Sequence, residues 1–209
     1  MPAPDFTFYL VSDRNQTQGR DLLWVLEQAL DGGVKAIQLR EKDLDGKQLF
    51  LLAEKLRDVC SRYRAALFVN DRIDVALAVD AEGVQLGKTS LPVAAARELL
   101  GAERMIGAST HSLEEAKEAE RSGADFILFG PVYFTPAKAA YGAPQGIAAL
   151  KKIVENIALP VYAIGGIKPD NVEAIMGAGA KGVALISAVL AAVEPRAAAV
   201  TIQKLLERS

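Results

Sequence analysis

Eight short apolar runs recur from one end of this chain to the other, and longer segments of helical character separate them. The runs are FTFYLV (6–11), VKAIQL (34–39), ALFVN (66–70), GVQL (83–86), RMIGAS (104–109), DFILFG (125–130), PVYAIG (160–165) and GVALI (182–186). They read as strands buried on both faces, the mark of a parallel sheet covered by helices. Amphipathic or Ala/Leu/Glu-rich segments predict helices over 20–31, 47–63, 92–100, 113–121, 147–155, 170–177 and 194–207, and RIDVALAVD has room for one or two turns. DGGVKAIQL, AEGVQLG, SGADFILFG and GAGAKGVALI each place glycine directly before a run. A helix ending in a left-handed residue needs glycine there.

Eight such units predict a single-domain (β/α)8 TIM barrel over residues 1–209, near the lower end of the length that fold takes. The rival is a doubly wound open sheet. That fold would usually carry a glycine-rich nucleotide turn after the first strand, and here the turn reads SDRNQTQ. GKTS at 87–90 is no P-loop either, because the preceding glycine is one position too close and VQL reads as strand.

Composition narrows the function classes. A net charge of −2 gives no reason to expect nucleic acid or an anionic membrane as partner. The single Cys60 excludes an internal disulfide and suits a reducing compartment. The first residues lack the pattern of a signal peptide, and GVALISAVLAAV is too short to span a bilayer, so a cytoplasmic location is expected. The expected partner is a small-molecule phosphate, with a homodimer left open.

In a barrel the chemistry sits at the C-terminal ends of the strands. Those ends carry Ser12-Asp13, Gln38 to Lys42, Asn70-Asp71-Arg72, Lys88-Thr89-Ser90, Ser109-Thr110-His111, Thr135 and Lys138, Gly165-Gly166-Ile167 and Ile186-Ser187. The sharpest signal is AIGGI followed by LISAV. Adjacent glycines let the backbone approach a ligand, and backbone N–H groups where a helix begins at Ser187 suit a phosphate. A tight turn with an ordinary N-cap serine is the plainer reading. In QLREK, strand alternation would send Gln38, Arg40 and Lys42 to one face, where an anion would relieve the repulsion between the two cations. The alternative is a surface cluster of Glu41 and Lys42. Asp71 offers a carboxylate for magnesium, for Arg72, or as a helix cap. The loop 131–146, which holds Lys138, is long enough to serve as a lid. His111, the only histidine, is either a catalyst or a polar residue in a turn.

Taken in order, YLVSD, IQLREKD, FVNDR, GVQLG, IGASTHSLEEA, GADFILFGPVYFT, APQG, AIGGI and GVALISA resemble the thiamine phosphate synthase / TenI family along essentially the whole chain. The resemblance implies that Gln38, Arg40, Glu41, Lys42, Asn70, Ser109 and Lys138 contact a pyrimidine pyrophosphate or its equivalent. It implies that Gly165, Gly166, Ile186 and Ser187 hold a thiazole phosphate, which Thr135 touches. Synthases of the family carry two acidic magnesium ligands. The first corresponds to Asp71, and the second falls on Ser90. Their TxTK loop reads Thr135-Pro136-Ala137-Lys138 here.

The missing second acid points toward the TenI-type thiazole tautomerase, an isomerase that needs no metal. It aromatises a carboxy-methylthiazole ethyl phosphate by a proton shift, and His111 is the group suited to carry that proton. The alternative is thiamine phosphate synthase, a transferase using Mg2+ through Asp71 to join hydroxymethylpyrimidine pyrophosphate to thiazole phosphate with release of pyrophosphate. A phosphate-binding or regulatory barrel without catalysis is the third expectation.

Overall fold

The computed structural model describes residues 3–135 and 143–208. Eight strands close into one parallel barrel in sequence order, β1 pairing with β8 to complete the ring. They are β1 (Phe8–Val11), β2 (Ala36–Leu39), β3 (Ala66–Asn70), β4 (Gly83–Leu86), β5 (Met105–Thr110), β6 (Phe126–Phe129), β7 (Val161–Ile164) and β8 (Gly182–Leu185). The helices are α1 (Leu22–Asp31), α2 (Gly46–Tyr63), α3 (Ile73–Ala78), α4 (Val93–Leu100), α5 (Leu113–Arg121), α6 (Gly146–Val154), α7 (Val172–Gly177), α8 (Ser187–Leu190) and α9 (Pro195–Leu206). Among the described residues no helix is long and apolar enough to cross a membrane.

Local chemistry starts these helices within two residues of where the sequence predicts. The Asp21 carboxylate accepts from the N–H of Trp24 at 2.9 Å and begins α1. Asp45 and Gln48 cap α2 reciprocally, at 2.8 and 3.2 Å. Ser112 caps α5 by accepting from the N–H of Glu115 at 3.1 Å. These caps satisfy donors that the first turn leaves without partners.

Strand side chains divide between two cores. Those pointing outward, such as Leu10, Ile37, Leu67, Val84, Ile106, Ile127, Ala163 and Val183, pack under the helices. Those pointing inward form a separate cluster of Phe6, Tyr9, Ala36, Phe68, Met105, Phe126, Leu128, Tyr162 and Ala184. Five of these are aromatic, and their rings meet mostly edge to face, as between Phe68 and Phe126 with centroids 5.4 Å apart. This plug fills the axis, so the barrel is a packed core and any ligand must sit above it.

Candidate functional site

Above the aromatic plug the inward positions turn polar, but only on one side of the barrel. Gln38 on β2, Asn70 on β3, Gln85 on β4 and Ser109 on β5 continue the inward-facing rows of Ala36, Phe68, Gly83 and Gly107. Register places Asn70 beside Gln85 and Gln85 beside Gly107. Gln38 and Gln85 are buried, while Asn70 and Ser109 are partly exposed. The Gln38 amide donates a long bond to the Tyr9 hydroxyl at 3.5 Å, and the Gln85 amide donates to Ser109 Oγ at 3.1 Å. Burial, more than any other cause, raises the Tyr9 hydroxyl well above its ordinary pKa, which keeps it neutral.

Gln85 was not among the residues singled out in the sequence. The available signal was a polar amide inside an otherwise apolar strand, GVQL, at a position matching Gln38 and Ser109 across the sheet.

The cationic stretch after β2 differs from the alternation expected. The strand stops at Leu39, so Arg40 and Lys42 lie in the following turn and the two-residue rule does not carry over to them. The turn is fixed by Glu41, which is 5% exposed. Its carboxylate accepts from the Ser12 hydroxyl at 2.7 Å and from the Arg14 backbone N–H at 3.2 Å, and Ser12 in turn accepts from the N–H of Arg40 at 2.9 Å. Glu41 therefore ties the ends of β1 and β2 together, and the surface cluster with Lys42 does not form. Among the described residues neither the Arg40 nor the Lys42 side chain has a hydrogen-bond or ion-pair partner.

Asp71 follows β3 with φ +62°, a left-handed conformation that costs any residue with a side chain and that Asp tolerates better than most. It does not cap α3, whose N-cap is Arg72 without a side-chain bond, and Arg72 pairs with Asp74 instead, at 2.8 Å. That pairing lowers the Asp74 pKa below the usual carboxylate range. The Asp71 carboxylate instead accepts from the Asn70 amide at 2.7 Å and from the Ser90 hydroxyl. Ser90 Oγ also accepts from the N–H of Gly87 at 2.6 Å. The two positions aligned with the acidic pair thus meet across the β3 and β4 loops, one as carboxylate and one as hydroxyl.

His111 lies one residue beyond β5 and is exposed. Its N–H donates to Glu115 at 2.6 Å, part of the α5 start, and its ring Nδ1 sits 2.5 Å from the carbonyl oxygen of Gly130 at the end of β6. A carbonyl only accepts, so Nδ1 carries the proton there and the neutral ring keeps its lone pair on Nε2.

The glycines after β7 have a reason beyond any ligand. Gly165 and Gly166 have φ of +98° and +65°, and a Cβ on either would collide with Pro131 or with Tyr133 and the Phe134 carbonyl. The loop after β6 lies on this turn, with Val132 and Tyr133 donating to the carbonyls of Ile164 and Gly165 at 2.9 and 3.0 Å. Ile186, not Ser187, is the N-cap of α8, and no side chain caps it, so the plain N-cap serine does not apply. Among the described residues the N–H groups of Gly165, Gly166, Ser187 and Ala188 have no acceptor. Thr135 is partly exposed at the edge of this loop, and Lys138 and Ala137 lie outside the described residues.

For magnesium, the described residues contain no group of three His, Cys, Asp or Glu side chains able to hold an ion alone. Asp71 with the Ser90 hydroxyl is nonetheless a fitting partial set. Magnesium commonly takes one or two carboxylates and completes its shell with waters and substrate phosphates.

A closed (β/α)8 barrel with a one-sided polar shelf and open backbone donors at the strand ends defines a class of small-molecule enzymes. The comparisons with known proteins narrow it. The family model described as thiamine monophosphate synthase matches residues 8–189, and the chain belongs to that thiamine phosphate synthase/TenI family of thiamine biosynthesis. It is 53% identical over 196 residues to a putative thiamine-phosphate synthase of Geobacter sulfurreducens, covering 94% of this chain and 92% of that one. It is 41% identical over the full length of both chains to a thiamine-phosphate synthase of Syntrophomonas wolfei. A thiamine phosphate pyrophosphorylase structure from Pyrococcus furiosus superposes with a TM-score of 0.89 at 40% identity, covering 97% of this chain and 96% of that one. A 3-hexulose-6-phosphate synthase structure, at 18% identity, TM-score 0.70 and coverage of 96% and 100%, shares the fold alone.

Proposed function

We propose that this protein is a thiamine phosphate synthase, joining hydroxymethylpyrimidine pyrophosphate to thiazole phosphate. The Syntrophomonas relative bears that name and the Geobacter one bears it as putative, which moves the reading away from the tautomerase that the missing second acid suggested. The observation that carries it is the Asp71–Ser90 contact. The position of the second acid is retained in space as a hydroxyl on the first acid, rather than turned away.

In this reaction the bond from the pyrimidine methylene to the pyrophosphate oxygen breaks, and the thiazole nitrogen forms a bond to that carbon. Pyrophosphate leaves with the electron pair. Arg40 and Lys42, without protein partners, are available to bind its charge. Asn70 and Ser109 line the shelf where the pyrimidine end would lie, above the aromatic plug. The N–H groups at Gly165, Gly166 and Ser187 would hold the thiazole phosphate without needing a cation. Magnesium bound with the substrate would neutralise charge gathering on the departing oxygens, with Asp71 and Ser90 as its protein ligands.

A second reading, thiazole tautomerase, is supported by His111, whose fixed Nδ1 leaves Nε2 able to take a proton. One experiment separates the two. Purified protein is incubated with thiazole phosphate, hydroxymethylpyrimidine pyrophosphate and Mg2+, and in parallel with each thiazole tautomer alone. Magnesium-dependent thiamine phosphate is the expected product. Tautomer interconversion without any thiamine phosphate would replace the synthase by the isomerase.

A further inference from the structure

Gln85 is 1% exposed, sits on the inward face of β4, and its amide oxygen has no hydrogen-bond partner. A buried acceptor left without a donor is costly, so its orientation needs a reason. The oxygen occupies the space above Gly107, where a Cβ would collide with it and with the Cζ and Cε2 edge of Phe126. Ring edges carry positive charge, so the oxygen is the better half of the amide to face one, and the NH2 half is left for Ser109. Gly107 makes this arrangement sterically possible.

The consequence falls on Ser109. Its oxygen accepts from Gln85 Nε2 at 3.1 Å, and among the described residues its own proton has no acceptor. A hydroxyl that accepts from below is left to donate above.

We propose that Gln85 is a positioning residue that polarises Ser109 as a hydrogen-bond donor toward an acceptor atom of the pyrimidine pyrophosphate, without touching the substrate itself. The proposal rests on the synthase reading for the identity of that substrate.

The test is a double-mutant cycle with Gln85→Met, Ser109→Ala and the pair combined. It is read on the Kd for hydroxymethylpyrimidine pyrophosphate by calorimetry and on kcat/KM for thiamine phosphate formation. Each single change is expected to weaken both by about tenfold, and the double variant to be no worse than either single one. A merely structural Gln85 would give losses that multiply. Multiplied losses, or a Gln85→Met protein that binds normally, overturn the proposal. If Gln85→Met melts far below the parent, Gln85→Asn replaces it, since that amide is one methylene too short to reach Ser109 and should show the same coupling. A parent protein that binds the pyrophosphate but forms no thiamine phosphate sinks the synthase reading, while the binding cycle still decides Gln85. A parent that does not bind it overturns both.

Discussion

At the N-terminal ends of the strands, Arg57, Arg97 and Arg104 are committed to the fold, whereas Arg40 and Lys42 at the C-terminal ends have no partner among the described residues. Arg97 donates to the carbonyls of Gly101, Arg104 and Gly123 and pairs with Asp125 at 2.5 Å. Asp125 also accepts from the N–H of Ile106 at 2.6 Å, and Glu82 bridges Arg57 and the N–H of Leu67. Each of these charges closes a gap between neighbouring strands. At the other end Arg14 and Arg72 are paired, but Arg40, Lys42, the Asp71–Ser90 pair and the free N–H groups are left for something that is not protein. One end is built to be finished by itself, and the other by a ligand.

The largest effect that would test this division is on Asp125. Its side chain is only 2% exposed, and Asp125→Ala removes the ion-pair partner of Arg97 and the acceptor of the Ile106 N–H. The expected loss of stability is about 3–5 kcal/mol by urea unfolding. A loss under about 1 kcal/mol would remove the claim that this end is the structural one. Next in size is Arg40→Ala, expected to lower kcat/KM about a hundredfold through a lost charged hydrogen bond. Its unfolding free energy should stay within about 0.5 kcal/mol of the parent. Lost stability at unchanged activity would place Arg40 with the cations of the other end.

His111→Asn sharpens the comparison by asking which chemistry the open end performs. Thiamine phosphate formation should change by less than about tenfold, whereas a tautomerase would slow about a hundredfold or more. Ser90→Asp comes next. With two carboxylates side by side, manganese binding without substrate, followed by electron spin resonance, should tighten by about tenfold. Unchanged affinity would mean that Ser90 does not sit on the metal side of Asp71.

The smallest effect belongs to Cys60, on the buried face of α2, where burial pushes the thiol up to about 12. The folded protein should resist alkylation equally at pH 7 and pH 9. Because the folded value is raised, the stability tied to the neutral thiol is intact below the unfolded value of about 8.5 and is lost as pH rises toward the folded one. Between pH 9 and 10.5 the parent should therefore lose more stability than Cys60→Ala, by up to about 1.4 kcal/mol per pH unit. Equal slopes would mean that the thiol ionises inside the fold.

Much of this architecture was legible in the chain. GVQL and ALFVN are β4 and β3 to the residue, and the helix predicted over 113–121 is α5. Runs buried on both faces, and the left-handed glycines Gly33, Gly123 and Gly179 ahead of β2, β6 and β8, depend on a few neighbouring residues, so sequence reports them directly; Gly83 instead lies within β4, and neither Asp71 nor Ser187 caps a helix. The closed ring follows from counting eight such units. Family motifs also located the rim, from Gln38 to Ser187. Side-chain direction past the last paired residue was a different matter. Alternation holds only while the ladder holds, so Lys42 and His111, beyond β2 and β5, could not be aimed from sequence. Glu41 reads in the sequence as a rim residue, whereas the fold places it between Ser12 and Arg14, and Gly165-Gly166 also make room for the loop after β6, which the sequence does not show. Gln85, hidden in an apolar strand, gained meaning only from Ser109 and Gly107 on the neighbouring strand. Sequence determined the elements because their causes are local; tertiary structure decided which polar groups are spent on each other, because those partners lie tens of residues apart.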